Sequence, residues 1–148
     1  MTPLALARRL VDRLRGTPPR PGGLRGVGHD WEREAERALV AVRYRILERN
    51  FRTKRGEIDL IAEEGGVLCF VEVKGRLTRT HGSPAESVTL EKQRRIRRAA
   101  EAYLARARGG SRPCRFDVVS VDAREKDPAR RVTILRNAFE APSAPRRA

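Results

Sequence analysis

Asp59, Glu72 and Lys74 are the residues of this chain whose types and spacing could do chemistry. They lie in GEIDLIAEEGGVLCFVEVKGR, Gly56 to Arg76, two strand-like runs joined through Gly65-Gly66. With the two glycines at the centre of a tight hairpin turn, Glu64 pairs with Val67, and stepping outward sets Asp59 opposite Glu72. Side chains alternate along a strand, so Glu72 and Lys74 share a face, and the register puts Asp59 and Ile61 on it. Ile58, Leu60, Cys69, Val71 and Val73 take the other side. Two carboxylates at the end of an otherwise apolar sheet suit a hard divalent cation, Mg²⁺ or Mn²⁺, which takes one or two protein carboxylates and completes its shell with water and phosphate. Such a cation polarises a phosphodiester and lowers the pKa of water, while a lysine beside it orients the nucleophile and offsets negative charge.

Further acids and donors stand within reach of this set. Glu32 falls in the first turn of a helix and borders its apolar stripe, which lets it point to the same metal. Glu57, two residues before Asp59, is a second-tier acid, and Gln93 a second-tier donor to phosphate or water. The blander account is a solvent-facing Glu-x-Lys ion pair, with Asp59 bridging to Lys74 across the strands.

The elements that must position these groups follow from periodicity. Asp30 is a good helix cap, and Trp31, Ala35, Ala38, Leu39 and Val42 recur on one helical face after it. Tyr44 to Asn50 reads as a short edge strand, and Phe51 to Gly56 as a basic connection with Arg52, Lys54 and Arg55. From Thr89 a second helix carries Ile96, Ala99, Ala100, Tyr103, Leu104 and Ala107 as its apolar stripe. Its other faces hold Lys92, Arg94, Arg95, Arg97, Arg98, Arg106 and Arg108 against Glu91 and Glu101. Arg115 to Val121 and Val132 to Leu135 are two more strands. The order α, β, β, β, α, β, β describes an α/β layer with a mixed sheet.

Within 148 residues, 39% of them hydrophobic, there is room for one core. Lys and Arg outnumber Asp and Glu by 33 to 19, a net charge of +14 that favours polyanionic partners, nucleic acid before an anionic membrane. No run approaches the roughly 18 to 20 apolar residues of a membrane span. The first fifteen residues form a basic amphipathic pattern, and GTPPRPGGLRGVG, Gly16 to Gly28, reads as a linker. The expected organisation is therefore an extension over 1–28, a domain over 29–139 and a tail over 140–148. Cys69 and Cys114 make neither a disulfide framework nor a metal cluster and read as free thiols in a reducing cytoplasm. His29 and His81 read as surface or loop residues.

The segments GEIDLIA, FVEVKGR, SPAESVTLEKQRRI (Ser83 to Ile96), RFDVVSV (Arg115 to Val121) and NAF (Asn137 to Phe139) resemble the bacterial YraN-type family. That family is regarded as nuclease-like, of the PD-(D/E)XK superfamily, nearest in pattern to archaeal Holliday-junction resolvases. The resemblance implies a restriction-endonuclease-like three-layer α/β fold, a central mixed β-sheet flanked by helices. It implies that Asp59, Glu72 and Lys74 match the core acid, second acid and lysine, and Glu32 the helical glutamate, with Asp59, Glu72 and Glu32 as metal ligands. Trp31 and Arg43 depart from it, standing where the pattern often has glycine. The function so implied is Mg²⁺-dependent endonucleolytic hydrolysis, of DNA more than RNA. Lys92, Arg94, Arg95, Arg97, Arg98, Arg52, Lys54, Arg55 and Arg76 are the expected phosphate contacts. A homodimer is compatible with the sequence and not required by it.

The alternative is a binding protein that keeps the fold and basic surface without hydrolysis. A basic RNA-associated structural protein accounts for the charge but not for Asp59 opposite Glu72. An aromatic content of 5% also argues against recognition by stacked bases.

Overall fold

The structure, a computed structural model, describes residues 26–77, 88–107, 112–124 and 127–140. The expected basic N-terminal helix, most of the linker after it, His81, Arg108 and the tail from 141 lie outside the described residues. The order of elements is as expected: α1 (Gly26–Ala41), β1 (Arg45–Thr53), β2 (Gly56–Glu64), β3 (Val67–Leu77), α2 (Leu90–Ala107), β4 (Cys114–Arg124) and β5 (Asp127–Phe139). The five strands form one sheet in sequence order. All neighbours are antiparallel except β3 and β4, which run parallel and are bridged by α2. No helix among the described residues is long and apolar enough to cross a membrane.

Because strand side chains alternate, the sheet feeds a separate core on each face. On one, Ile96, Ala99, Ala100 and Tyr103 of α2 pack on Phe51, Ile61, Phe70, Phe116 and Val118. On the other, Ala35 and Leu39 of α1 pack on Leu60, Val71, Val119 and Val121. The result is an α/β sandwich consistent with a restriction-endonuclease-like arrangement. Both helical stripes were legible, except that Val42 lies beyond the end of α1 and is exposed.

Several boundaries differ from expectation. Helix α1 begins at Gly26, so Asp30 lies inside it and does not cap it, His29 is helical, and the last three linker residues belong to the helix. Strand β1 runs to Thr53, because pairing with β2 continues through Phe51↔Ile58, Arg52↔Glu57 and Thr53↔Gly56. Only Lys54 and Arg55 remain in the turn. Strand β5 extends well past Val132–Leu135 at both ends, since β4 offers it a full ladder.

The end of α1 accounts for Arg43. Tyr44 N–H donates to the Leu39 carbonyl at 2.9 Å and Arg43 N–H to the Val40 carbonyl at 3.0 Å, the paired bonds of a Schellman close. Such a close requires a left-handed residue at the position of Arg43, whose φ is 72°. Tyr44 and Leu39 supply the accompanying apolar contact. A glycine adopts that φ without the steric cost of Cβ, so Arg43→Gly is expected to stabilise the protein by about 0.5–1 kcal/mol. Urea unfolding of both proteins checks this, the expected result being a higher midpoint at unchanged slope.

Candidate active site

The hairpin register is as read from the sequence: Glu64↔Val67, Glu63↔Leu68, Ala62↔Cys69, Ile61↔Phe70 and Leu60↔Val71. Gly65 and Gly66 take the positive φ values, 54° and 84°, that the tight turn demands. Beyond Leu60 the regular ladder stops. Val73 N–H, which an unbroken antiparallel ladder would give to a β2 carbonyl, donates instead to Asp59 Oδ2 at 2.8 Å.

On the other flank of β2, the residue facing Asp59 is Asn50, bracketed by the pairs Arg49↔Leu60 and Phe51↔Ile58 and held at φ 51°. The distortion turns β2 over at this point. Ile58 therefore packs in the α2-side core with Ile61, and not on the Leu60 side as alternation predicts. The carboxylate of Asp59 is left reaching toward β3.

Glu72 meets it there. Its side chain is 5% exposed and close enough for its charge to act on Asp59. Burial, then the Glu72 charge, pushes the Asp59 carboxyl up to about 8, against the pull of the Val73 N–H; Glu32 adds a smaller push in the same direction. Thus the helical glutamate is within electrostatic reach of the pair. Lys74 Nζ lies 3.9 Å from Glu72 Oε1. Burial, and then the neighbouring Lys92, hold Lys74 below the ordinary lysine range.

Lys92, expected among the phosphate contacts of α2, lies at the acid pair: its Nζ is 2.5 Å from Glu72 Oε1. Burial is the largest influence and works against its charge, but the hydrogen bond to Glu72, the Glu72 charge, Lys74 and the Asp59 charge together outweigh it and raise its pKa. The first turn of α2 delivers it: Lys92 N–H donates to Thr89 Oγ1 at 3.2 Å, fixing the helix start. Its position three residues after Thr89, a good cap, was the available signal.

The second-tier residues do not join. Glu57 is 65% exposed and pairs with Arg52 at 3.4 Å, and Gln93 donates its amide to the Val88 carbonyl at 3.1 Å. Arg76 is held by Asp122 at 2.9 Å, four pairs along the β3–β4 ladder from Glu72. Of the α2 arginines, Arg97 donates to the Glu140 carbonyl and Arg95 pairs with Glu91, while Arg94 and Arg98 are exposed. Lys54 and Arg55 are also exposed. The β1–β2 turn touches α2 directly, since a Cβ on Gly56 would stand 2.2 Å from the Arg95 carbonyl oxygen. Arg52, Lys54 and Arg55 consequently adjoin the basic helix.

Among the described residues no three Asp, Glu, His or Cys side chains are close enough together to hold a metal ion by themselves. Asp59 and Glu72 nonetheless fit a two-carboxylate site for a hard cation. Their oxygens are the right donors, the pair is held back from ionising fully, and a cation, the Lys92 ammonium, already sits on Glu72.

The sequence pattern of "Uncharacterised protein family UPF0102" matches residues 31–121. A UPF0102 protein of Symbiobacterium thermophilum is 51% identical over 117 residues, covering 79% of this chain and 98% of its own. The chain belongs to the UPF0102 family. A UPF0102 protein of Chlorobaculum parvum is 52% identical over 101 residues, 68% of this chain and 78% of its own, and one of Anaeromyxobacter is 42% identical over 124 residues, 84% and 92%. This is the YraN-type family that the sequence blocks resemble. The UPF0102 match contains Glu32, Asp59, Glu72, Lys74 and Lys92, and ends before β5. It starts at Trp31, whose ring lies where a Cβ on Gly75 would be, so this departure fills the space over Gly75 on the α1 face of β3.

A carboxyl with a raised pKa keeps its proton in the folded state after the unfolded chain has lost it. Folding then loses stability as pH rises from the ordinary Asp value, 3.8, toward about 8. Asparagine mimics the protonated acid, still accepting from Val73 N–H. The metal-free Asp59→Asn protein is expected to match wild type near pH 4 and to exceed it in stability increasingly up to pH 8. Thermal unfolding in chelator across that range is the measurement, and a stability gap that does not grow with pH refutes the shift.

Proposed function

We propose that this protein is a metal-dependent nuclease, hydrolysing phosphodiester bonds in DNA, with branched or repair intermediates as the substrate class. The observation that carries the reading is the juxtaposition of the half-buried Asp59 carboxylate with the buried Glu72, and of the Lys74 ammonium with a Glu72 oxygen at 3.9 Å. Asp59 and Glu72, with Glu32 nearby, would hold Mg²⁺ or Mn²⁺, which when bound supplies charge neutralisation at the scissile phosphate and acidifies water. Lys74, anchored on β3 and half-buried, is placed to orient the attacking water and to stabilise charge on the phosphate. Arg94, Arg98, Lys54 and Arg55 draw the polyanion to this end of the sheet without reading sequence. The free thiols of Cys69 and Cys114 suit a cytoplasmic site of action.

A second reading, binding without hydrolysis, draws on one observation. Lys92 gives Glu72 an internal counter-charge, so the acid pair is partly neutralised without a metal.

A panel of labelled DNA and RNA structures, incubated with and without Mg²⁺ or Mn²⁺, separates the two. Wild type is expected to cut at least one DNA substrate when metal is present. Asp59→Asn, Glu72→Gln and Lys74→Ala should each lower the rate about a hundredfold or more, while DNA binding survives. Undiminished cleavage by Asp59→Asn, or cleavage indifferent to metal, sinks the site assignment; no cleavage of any substrate favours the binder.

The surface itself makes a separate prediction. Affinity should fall steeply with salt, and Arg94→Gln with Arg98→Gln should reduce the log–log slope by about two, one for each lost phosphate contact. Arg97→Gln should change it little, because that guanidinium is committed to Glu140. Equal effects from all three would place the contact surface elsewhere.

A further inference from the structure

Lys92 occupies the position on Glu72 that a bound cation would contest. Two ammoniums, Lys74 at 3.9 Å and Lys92 at 2.5 Å, bear on the same carboxylate oxygen. A dication entering between Asp59 and Glu72 would stand a few ångströms from both, and like charges at that distance in a half-buried site repel strongly. One ammonium must withdraw. Lys74 rises from the middle of β3 and its side chain is 23% exposed, whereas Lys92 is 41% exposed on the first turn of α2. Lys92 has the shorter route to solvent. Its way out leads along the helix that carries Arg94 and Arg98 and that touches the Lys54–Arg55 turn through Gly56.

We propose that Lys92 is an exchangeable cation, held on Glu72 when no metal is bound and transferred to a nucleic-acid phosphate when a divalent ion takes its place. This inference rests on the two-carboxylate metal site of the proposed nuclease and specifies how metal and substrate are linked. Metal binding releases a phosphate ligand, and phosphate gives the released ammonium a partner. By linkage each ligand therefore tightens the other. Lys92 is a substrate-positioning residue on this account, and its contact with Glu72 restrains metal loading until nucleic acid arrives.

The test measures binding of the full chain. Calorimetric Mn²⁺ affinity is measured for wild type, Lys92→Gln, Lys92→Arg and Glu72→Gln, without nucleic acid. The affinity of a labelled DNA junction is measured by anisotropy with Ca²⁺ or with chelator. Removing the competing ammonium should tighten Mn²⁺ binding by about fivefold or more in Lys92→Gln, and the Ca²⁺ enhancement of DNA affinity should shrink by a similar factor, within the range of ordinary coupling energies. Lys92→Arg, which keeps the cation, should behave as wild type. If Mn²⁺ binds wild type but not Glu72→Gln, and Lys92→Gln binds it no more tightly than wild type, the exchange is wrong while the metal site stands. Should Mn²⁺ bind neither wild type nor Lys92→Gln, the metal site and the exchange fall together. Unchanged unfolding midpoints in the variants establish that the affinities belong to folded protein.

Discussion

Every backbone N–H in the interior of a sheet must find an acceptor, and at Val73 that acceptor is a side chain. Much of this end of the molecule depends on that substitution. Because Asp59 takes the bond, β2 need not stay in register with β3 beyond Leu60, and the two strands can part around a carboxylate. One Asp59 oxygen is spent on the backbone, which fixes the side chain. The group is thereby held against Glu72 and remains available to a cation on its other side. Asn50 completes the distortion from β1, adopting a left-handed conformation that asparagine tolerates better than most residues. The cost of the broken ladder is borne where an open, charged strand end is required.

Two carboxylates forced together out of water repel, and the chain answers with cations from two different elements. Lys74 comes from β3 itself, at the spacing that strand alternation guarantees. Lys92 comes from α2, whose placement depends on the Thr89 cap, on the Ile96 and Tyr103 stripe in the core, and on the contact between Gly56 and the Arg95 carbonyl. A side chain larger than hydrogen at position 56 would push the helix away. The balance of charge at the site is therefore linked to packing some distance from it.

What could be read in the sequence was what local rules decide. Gly65-Gly66 fixed the turn, the turn fixed the register, and the register brought Asp59 to Glu72; the 3.6-residue stripes gave both helices. What could not be read depends on partners distant in the chain. Asp30 looks like a cap because its residue type is right, but the helix extends back to Gly26. β1 is longer than its composition suggests because β2 pairs with it through Gly56. The kink at Asp59 reverses Ile58 and removes Glu57 from the site, and no alternation rule contains it. Lys92 is one of seven basic residues in the Thr89–Arg108 run, and only its place three residues after the Thr89 cap separates it from Arg94 or Arg95.

The opposite end of the sheet offers a contrast that bears on which charged cluster is functional. Asp117 is fully buried and accepts from Tyr44 Oη at 2.8 Å, Arg115 Nε at 2.9 Å and Asn137 N–H at 2.9 Å. Arg115 continues to Glu64 at 2.6 Å, and Arg136 closes on the same carboxylate. Those guanidiniums hold Glu64 down at about 2, so its charge persists through the physiological range. In that network opposite charges meet one another and donors match acceptors around the buried Asp117, which fastens the end of the α1–β1 connection to β2, β4 and β5. At Asp59 and Glu72 the balance differs: like charges adjoin, one acid is driven toward its neutral form, and two ammoniums compete for one oxygen. A cluster whose own groups hold one another away from their ordinary protonation is one that a ligand of the right charge can relax. The free energy released in that relaxation is available for binding, which is why the unbalanced end of the sheet, and not the balanced one, carries the candidate chemistry.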